Sequence, residues 1–397
     1  MIKNVLHLLD VSLPIVSGYS TRSKYILINQ KKLGLNPFAI TSPHHLSNTE
    51  VEFNNGIRFF RTSISKSKAL LSLPISTELF YITTVYNKII EISKSNQIDL
   101  IHAHSPSLLG LSALRAGKKL GLKVIYEIRA FWEDAAVASG KYSNGSFKYR
   151  AVRNLEDYIC RKSARVVAIS QAMKNELISR RVPNTKISVV PNGVDLSVFG
   201  SEKVNMQLLS SFGLEDKFVF GYIGTFYDFE DISGLIDTFH KLHKMEKSAA
   251  LLLVGGGETE GAIRKKLKEL NADYIAFTGK IPHERVLDYY ALMDAVIYPR
   301  KSTRITEMTT PLKPLEAMAL GKPVICSSVG GLVELVGKEN GFFFPPGNYD
   351  ALVACCRMLI HDPVMRNKLA INGKERVINK RSWDEIVKRY VRVYDSI

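Results

Sequence analysis

Cysteine is scarce, suitable acidic pairs are missing and no long apolar run occurs, and each gap excludes something. The four cysteines, Cys160, Cys326, Cys355 and Cys356, include one adjacent pair and show no ligand spacing. They read as reduced thiols of a cytoplasmic protein, with neither a disulfide framework nor a thiolate metal site. There is no Asp-x-Asp, nor another tight acidic pair suited to holding a divalent cation against phosphates, so no metal is expected. Gly-x-Ser-x-Gly is absent too, which leaves Ser-His-Asp chemistry without support. No apolar stretch approaches the roughly 18 to 20 residues of a membrane span. The opening "MIKNVLHLLDVSLP" is cut by His7 and Asp10 and lacks a small-residue cleavage site. That suits a first β-strand better than a signal peptide.

What is present begins with charge. The 397 residues carry a formal net charge of +16. Residues 1–198 hold 27 Lys/Arg against 13 Asp/Glu, whereas the remainder holds 27 against 25, so the excess belongs to the N-terminal half. Such a field favours an anionic partner, either a lipid surface or a phosphate-bearing acceptor. A peripheral position on the inner face of the cell membrane is one expectation, and a plain lysine-rich surface is the other. Nucleic acid is not expected as a partner, because no basic-aromatic stripe accompanies the charge.

Strand-like and helical stretches alternate from end to end. "NVLHLLD", "NPFAITS", "DLIHAHS", "KVIYEIR", "RVVAIS" and "ISVVPN" form one series, and "FVFGYIG", "AALLLVGGG", "YIAFTGK", "DAVIYP", "KPVICSS" and "GFFFPP" a second. Near-continuous apolar strands between amphipathic helices predict α/β architecture with parallel sheets covered on both faces. Two series joined near residue 198 predict two doubly wound domains, with ligands beyond the carboxyl ends of the strands and so in a cleft between facing domains. The stretch "SWDEIVKRYVRVYDSI" reads as an amphipathic helix with Trp383 on its apolar side.

Three stretches carry chemistry. Gly255, Gly256 and Gly257 follow a strand and precede a helix, in G-x-G-x-x-x-G spacing that departs from the dinucleotide fingerprint. A tight turn explains them, and they would also let a nucleotide approach the backbone. Gly18, among Ser17, Ser20 and Thr21, opens a helix whose free N–H groups could seat a phosphate. In "YPRKSTRITEMTTPLKPLEAMALGKPV" the signals converge. Thr309 or Thr310 can cap, prolines suit a first helical turn and Gly321 ends the helix. N–H groups near Leu312 and Lys313, with Arg300, Lys301 and Arg304, suit a diphosphate. Glu316, one turn on, can accept two hydrogen bonds from a ribose diol; a plain i, i+3 pair with Lys313 is the competing reading. His104, at the end of "IHAH", is the preferred histidine for the cleft over His102.

At these residues the chain resembles a known family. "VVAISQAMKNELISRRVPNTKISVVPNGVDLSVF", "LLLVGGG", "PLEAMALGKPVICSSVGGLVELV" and "NGFFFPPGN" are similar to the retaining glycosyltransferases of family 4, which have the GT-B fold. The likeness covers nearly the whole chain, and is nearest to a bacterial subgroup associated with extracellular polysaccharide. It implies two Rossmann-like domains, residues 1–198 with about 383–397 and residues 199–382. The second would bind a UDP- or GDP-linked sugar and the first a glycan or lipid-linked acceptor, with a C-terminal helix crossing back to the first. No further cofactor is implied. Glu316 matches the ribose-binding glutamate, Lys280 and Ile281 the stretch framing the base, and Gly18 the loop facing the diphosphate. Gly224, Thr225 and Gly255 fall in with the donor site. The implied mechanism is front-face, the leaving phosphate taking the acceptor's proton.

The sequence departs from the family at three places. Met308 stands where relatives carry a first glutamate, with Glu307 one residue early. Thr225 and Glu230 stand where an Arg/Lys phosphate clamp is usual, so Arg300, Arg304 and Lys313 are expected to replace it. Arg129 in "YEIRAFWED" stands where many relatives have a histidine near the donor sugar; with His104 and Glu127 it completes the catalytic candidates. Two other functions fit the same fold: nucleotide-sugar binding without turnover, and sugar-nucleotide epimerisation, for which well-placed acids or bases are not evident.

Overall fold

The computed structural model describes residues 2–47, 49–62, 74–199 and 204–397. The chain divides into two compact units, Met1–Asn192 with Trp383–Ile397, and Gly193–Ser382. The expected division after residue 198 lies six positions further on. The reason for the earlier boundary is local: Val190 N–H still bonds Ala168 of the first unit, while Val194 N–H bonds the Arg381 carbonyl. A parallel bridge joins Val194 to Ser382.

In the first unit the elements run β1 (Asn4–Leu9), α1 (Gly18–Lys32), β2 (Asn36–Thr41), β3 (Val51–Asn54), β4 (Ile57–Arg61), α2 (Pro74–Asn96), β5 (Leu100–His104), α3 (Ser107–Leu120), β6 (Lys123–Ile128), α4 (Trp132–Ala138), α5 (Phe147–Lys162), β7 (Arg165–Ala168), α6 (Gln171–Ser179) and β8 (Ile187–Val189). The strands form one sheet in the order β3-β4-β2-β1-β5-β6-β7-β8, in which β3 pairs antiparallel with β4 and every other pair is parallel. The β3–β4 hairpin was not anticipated. Its turn is Asn55-Gly56, both at positive φ (51° and 70°), the strongest two-residue hairpin signal a sequence carries. The order reverses at β1, whose neighbours are β2 and β5, so ligands are favoured beyond the carboxyl ends of β1 and β5.

The second unit runs α7 (Met206–Ser211), β9 (Phe218–Thr225), α8 (Ile232–Met245), β10 (Ala249–Gly256), α9 (Glu260–Leu270), β11 (Ile275–Gly279), α10 (Val286–Ala291), β12 (Ala295–Tyr298), α11 (Arg304–Met308), α12 (Lys313–Ala319), β13 (Val324–Ser327), α13 (Gly330–Val336), β14 (Phe342–Phe344), α14 (Tyr349–His361) and α15 (Pro363–Lys380). Its sheet is wholly parallel, in the order β11-β10-β9-β12-β13-β14. The core is a single apolar cluster, including Phe220, Leu251, Leu252, Val296, Ile325, Leu315 and Leu332, all fully buried. Such strands, apolar at consecutive positions, are what a sheet covered by helices on both faces requires.

The last helix, α16 (Trp383–Asp395), belongs to the first unit. It buries Trp383, Ile386, Val387, Tyr390, Val393 and Tyr394, the stripe its spacing predicts. Trp383 stacks on Tyr25 of α1, with ring centroids 5.9 Å apart. Among the described residues no helix is long and apolar enough to cross a membrane.

Candidate functional site

In the first unit, strand alternation sends polar side chains to one buried face. His7 is in register with His102 across β1 and β5, and His104 with Glu127 across β5 and β6. Arg129 follows two residues after Glu127, on the same side. Onto them α1 presents Arg22, Ser23 and Gln30, and α16 presents Tyr390 and Tyr394. His7, Gln30, His102, His104 and Glu127 are completely buried, and Arg22 and Arg129 nearly so. Burying this many polar groups is tolerable only with their hydrogen bonds made.

Glu127 is the hub. Its Oε1 accepts from Arg22 Nε at 3.0 Å and from Arg129 Nε at 2.9 Å, and its Oε2 accepts from the Tyr390 hydroxyl at 2.5 Å. Burial alone would raise this carboxyl, but Arg22 and Arg129 hold it well below the usual carboxylate range. Arg22 also donates to the carbonyls of Pro191 (2.9 Å) and Val190 (2.8 Å) and to Asn192 Oδ1 (2.8 Å). Arg129 donates through Nη1 to the Tyr19 carbonyl and Ser23 Oγ, each at 2.8 Å, and its guanidinium lies 4.2 Å from the Tyr19 ring centre. Burial lowers His7 to about 3 and His104 to about 4, with Arg129 reinforcing the second. His102 is driven well down by burial and then by its histidine neighbours. All three rings are neutral at physiological pH.

Ring nitrogens of His7, His102 and His104 approach within 4.8 Å of one another, the spacing of a metal ligand set. The donor set does not fit a dication. His7 Nδ1 and His104 Nε2 are hydrogen-bonded to each other at 3.0 Å, and the cation would join two guanidiniums against a single carboxylate.

The other predicted residue of this unit, Gly18, is the exposed first residue of α1. A capping box holds that helix start, Ser20 N–H donating to Ser17 Oγ at 3.1 Å and Ser17 N–H to Ser20 Oγ at 2.9 Å.

In the second unit, the carboxyl ends of β9 and β10 meet at two glycines. Gly255 sits at φ 134°, and a Cβ there would lie 1.9 Å from the Gly224 carbonyl oxygen, so only glycine fits. Thr225 is exposed beside them. Lys280 is exposed and Ile281 half-buried just beyond β11. The cations that the sequence grouped near β12 are mostly matched with acids. Arg300 closes a two-point pair with Glu230, Nη2–Oε1 at 2.6 Å and Nε–Oε2 at 3.1 Å, both side chains nearly buried. The residue standing where a clamp cation is usual therefore neutralises one of the expected replacements. Lys301 pairs with Asp228 at 2.8 Å. Arg304 is the exposed first residue of α11.

Helix α12 begins without a side-chain cap. Leu312 is its N-cap residue, and proline occupies the first turn as expected. The capping expected of Thr309 or Thr310 is corrected: Thr309 ends α11 in extended conformation, and Thr310 is buried two residues before Leu312. Glu316 Oε2 accepts from Lys313 Nζ at 3.2 Å and from the Tyr290 hydroxyl at 3.2 Å. The i, i+3 pair weighed against a ribose-binding role is thus present, although Glu316 is largely buried rather than a surface residue. Glu307, beside Met308, accepts from Ser302 Oγ and from the Gly330 N–H, each at 2.6 Å.

Sequence reasoning missed Arg22, Gln30, Tyr390 and Tyr394. The available signal was α1 itself, where Arg22, Asn29 and Gln30 fall on the inward face.

Two Rossmann-like units, one with a mostly parallel and one with a wholly parallel sheet, define a GT-B protein, and comparison with solved structures agrees. Over 99% of its length the chain is similar to sucrose-phosphate synthase from Thermosynechococcus elongatus, at TM-score 0.77 and 19% identity, covering 98% of that chain. It is similar over 99% to Anabaena HepE in complex with UDP-glucose, at TM-score 0.73 and 18% identity, covering all of that chain. The model for glycosyl transferases group 1 matches residues 209–376, and the model for Glycosyltransferase Family 4 matches residues 60–198. The chain belongs to glycosyltransferase family 4. The capsular polysaccharide biosynthesis glycosyltransferase CapM of Staphylococcus aureus is 27% identical over 62% of this chain and 66% of its own length. The chain thus spans just under two thirds of that curated relative.

Proposed function

We propose that the protein transfers a hexose-type sugar from a UDP- or GDP-linked donor to a glycan or lipid-linked acceptor in surface polysaccharide synthesis, retaining the anomeric configuration and using no metal. The observation that carries this reading is Glu316, a nearly buried carboxylate held by Lys313 and Tyr290 in the first turn of α12. A carboxylate there can accept both ribose hydroxyls while Lys313 turns to the diphosphate. Family membership and the sugar nucleotide bound by HepE support it.

In the reaction the bond from the anomeric carbon to the donor phosphate oxygen breaks, and a bond to the acceptor hydroxyl oxygen forms on the same face. The hydroxyl proton passes to the departing diphosphate, so no protein nucleophile enters. Lys313, Arg304 and N–H groups near Leu312 would stabilise the charge on the leaving group. Arg300 contributes less than the sequence suggested, because Glu230 already neutralises it. Gly224, Thr225, Gly255, Lys280 and Ile281 would line the donor site and Gly18 the diphosphate side. Of the three catalytic candidates Arg129 would serve the acceptor or donor sugar from the first unit, whereas Glu127 and His104, completely buried and bonded within the network, would act only through it.

A peripheral membrane contact fits α4, the start of α5 and the segment that joins them. Trp132 and Phe147 are exposed, Phe147 to 86%, beside exposed Lys141, Lys148 and Arg150. Binding to anionic vesicles should weaken as salt rises; salt-insensitive binding would remove this part of the reading.

Incubating the protein with UDP- and GDP-sugars tests the main reading, through release of UDP or GDP and the anomeric configuration of the product by NMR. An inverted product overturns retention. The Arg300–Glu230 pair and Met308 favour a second reading, binding without turnover; tight nucleotide-sugar binding with no release would establish it.

A further inference from the structure

Apolar residues of equal volume would join a sheet to two helices without the desolvation cost of the network around Glu127. That network has a property an apolar core lacks, which is direction. His104 Nδ1 has two polar neighbours, Glu127 Oε1 at 3.3 Å and Arg129 Nη2 at 2.7 Å; the closer is a guanidinium, which can only donate, so that nitrogen carries a lone pair. His104 then carries its proton on Nε2, 3.0 Å from His7 Nδ1. That atom must accept, which puts the His7 proton on Nε2, 2.8 Å from Gln30 Oε1. The Gln30 amide is oriented in turn, its Nε2 donating at 2.7 Å to the Tyr394 hydroxyl, which donates at 2.8 Å to His102 Nδ1. Each tautomer is forced by the one before it, starting from a group that cannot reverse.

Arg129, at 8% exposure, is the least buried member of this chain. Nε–H goes to Glu127, both Nη1–H bonds to Tyr19 and Ser23, and one Nη2–H to His104. The second Nη2–H has no partner among the described residues. Arg129 directly follows Ile128, at the carboxyl end of β6 beside β5, on the sheet edge where this fold places ligands.

We propose that His104, His7 and Gln30 are positioning residues, which by fixed tautomers aim the unused Nη2–H of Arg129 at an oxygen of the sugar or phosphate in the transfer reaction. This rests on the glycosyl-transfer reading, and two measurements keep the two separate. The first needs no substrate. In protein labelled with 15N-histidine, two-bond proton–nitrogen correlations should show Nε2–H tautomers for both His7 and His104. An Nδ1–H tautomer at either ring overturns the proposal. The second compares substitutions of similar size and polarity. His104→Asn puts its amide oxygen where Nδ1 lies, so it can still accept from Arg129, whereas His104→Gln puts its polar end at the Nε2 position. His104→Asn should hold kcat roughly 10- to 100-fold above His104→Gln, with similar donor KM in both. Equal losses in two variants that remain folded overturn the proposal, since packing alone would treat them alike. If wild-type protein turns over no sugar nucleotide, the glycosyl-transfer reading fails, and the tautomers then decide the chain on their own.

Discussion

In the second unit β9, β10, β12 and β13 bring almost only apolar side chains to the middle of the sheet, and charges stand at the strand ends in separate pairs, Arg300 with Glu230, Lys301 with Asp228 and Lys313 with Glu316. In the first unit β1, β5 and β6 bring three histidines, a glutamate and an arginine to the middle, joined in one network with two helices. A partly exposed pair such as Lys313–Glu316 is worth about 0 to 1 kcal/mol and opens readily for a ligand. A buried network opens only at the cost of uncompensated charge. In the second unit Lys313–Glu316 is thus the pair able to open, Arg300–Glu230 being nearly buried, whereas the first unit holds its charges still.

The largest test of this contrast is Glu127→Ala, which leaves Arg22 and Arg129 buried without their carboxylate. It should destabilise the first unit by about 3–5 kcal/mol. Both tryptophans, Trp132 and Trp383, lie in that unit, so denaturant unfolding followed by their fluorescence reads it selectively. An unchanged midpoint would abolish the distinction. Next is Glu316→Ala, which should weaken UDP- or GDP-sugar binding by roughly 10- to 100-fold in calorimetry, the worth of charged hydrogen bonds, while leaving the hydrogen-exchange protection of the second unit unchanged. If that protection falls instead, Glu316 belongs to the fold rather than the ligand. Lys313→Ala should act more gently, lowering nucleoside diphosphate affinity about fivefold and leaving the free nucleoside unaffected. Its effect should fade with added salt; equal losses for nucleoside and diphosphate would remove Lys313 from the phosphate.

The smallest effect sharpens the contrast within the first unit. On the opposite face of β6 the Tyr126 hydroxyl donates to Glu156 of α5, and burial raises that carboxyl to about 8 from an ordinary 4.5. The folded chain keeps a proton there that the unfolded chain releases, so this contribution to stability is present below pH 4.5 and is lost as pH rises towards 8. Glu156→Gln should flatten the decline of melting temperature between pH 5 and 8. An identical slope in the variant would show that Glu156 is ionised in the fold.

The fold was legible because strands of a parallel sheet announce themselves as short apolar runs, because Gly255 marks a turn that other residues could not make, and because Gly321 marks a left-handed helix end that favours glycine. The donor-side residues were legible in part. Glu316 and Lys313 are neighbours in the chain, so local spacing could show their pairing. Arg300 could not be read the same way, since its partner Glu230 lies 70 residues earlier. The network in the first unit was hardest, because "IHAH" and "YEIR" resemble strands with one wet face. Their covering tyrosines, Tyr390 and Tyr394, stand more than 260 residues away.

That distance has a consequence during synthesis. The ribosome releases α16 only after the entire second unit, so a nascent chain holding residues 1–192 lacks the helix that supplies Tyr390, Tyr394 and Trp383 to its core. Domains ordinarily fold in the order they emerge. Here the first to emerge is the last to be completed, and Glu127 with its two guanidiniums waits half-sealed while its neighbour folds.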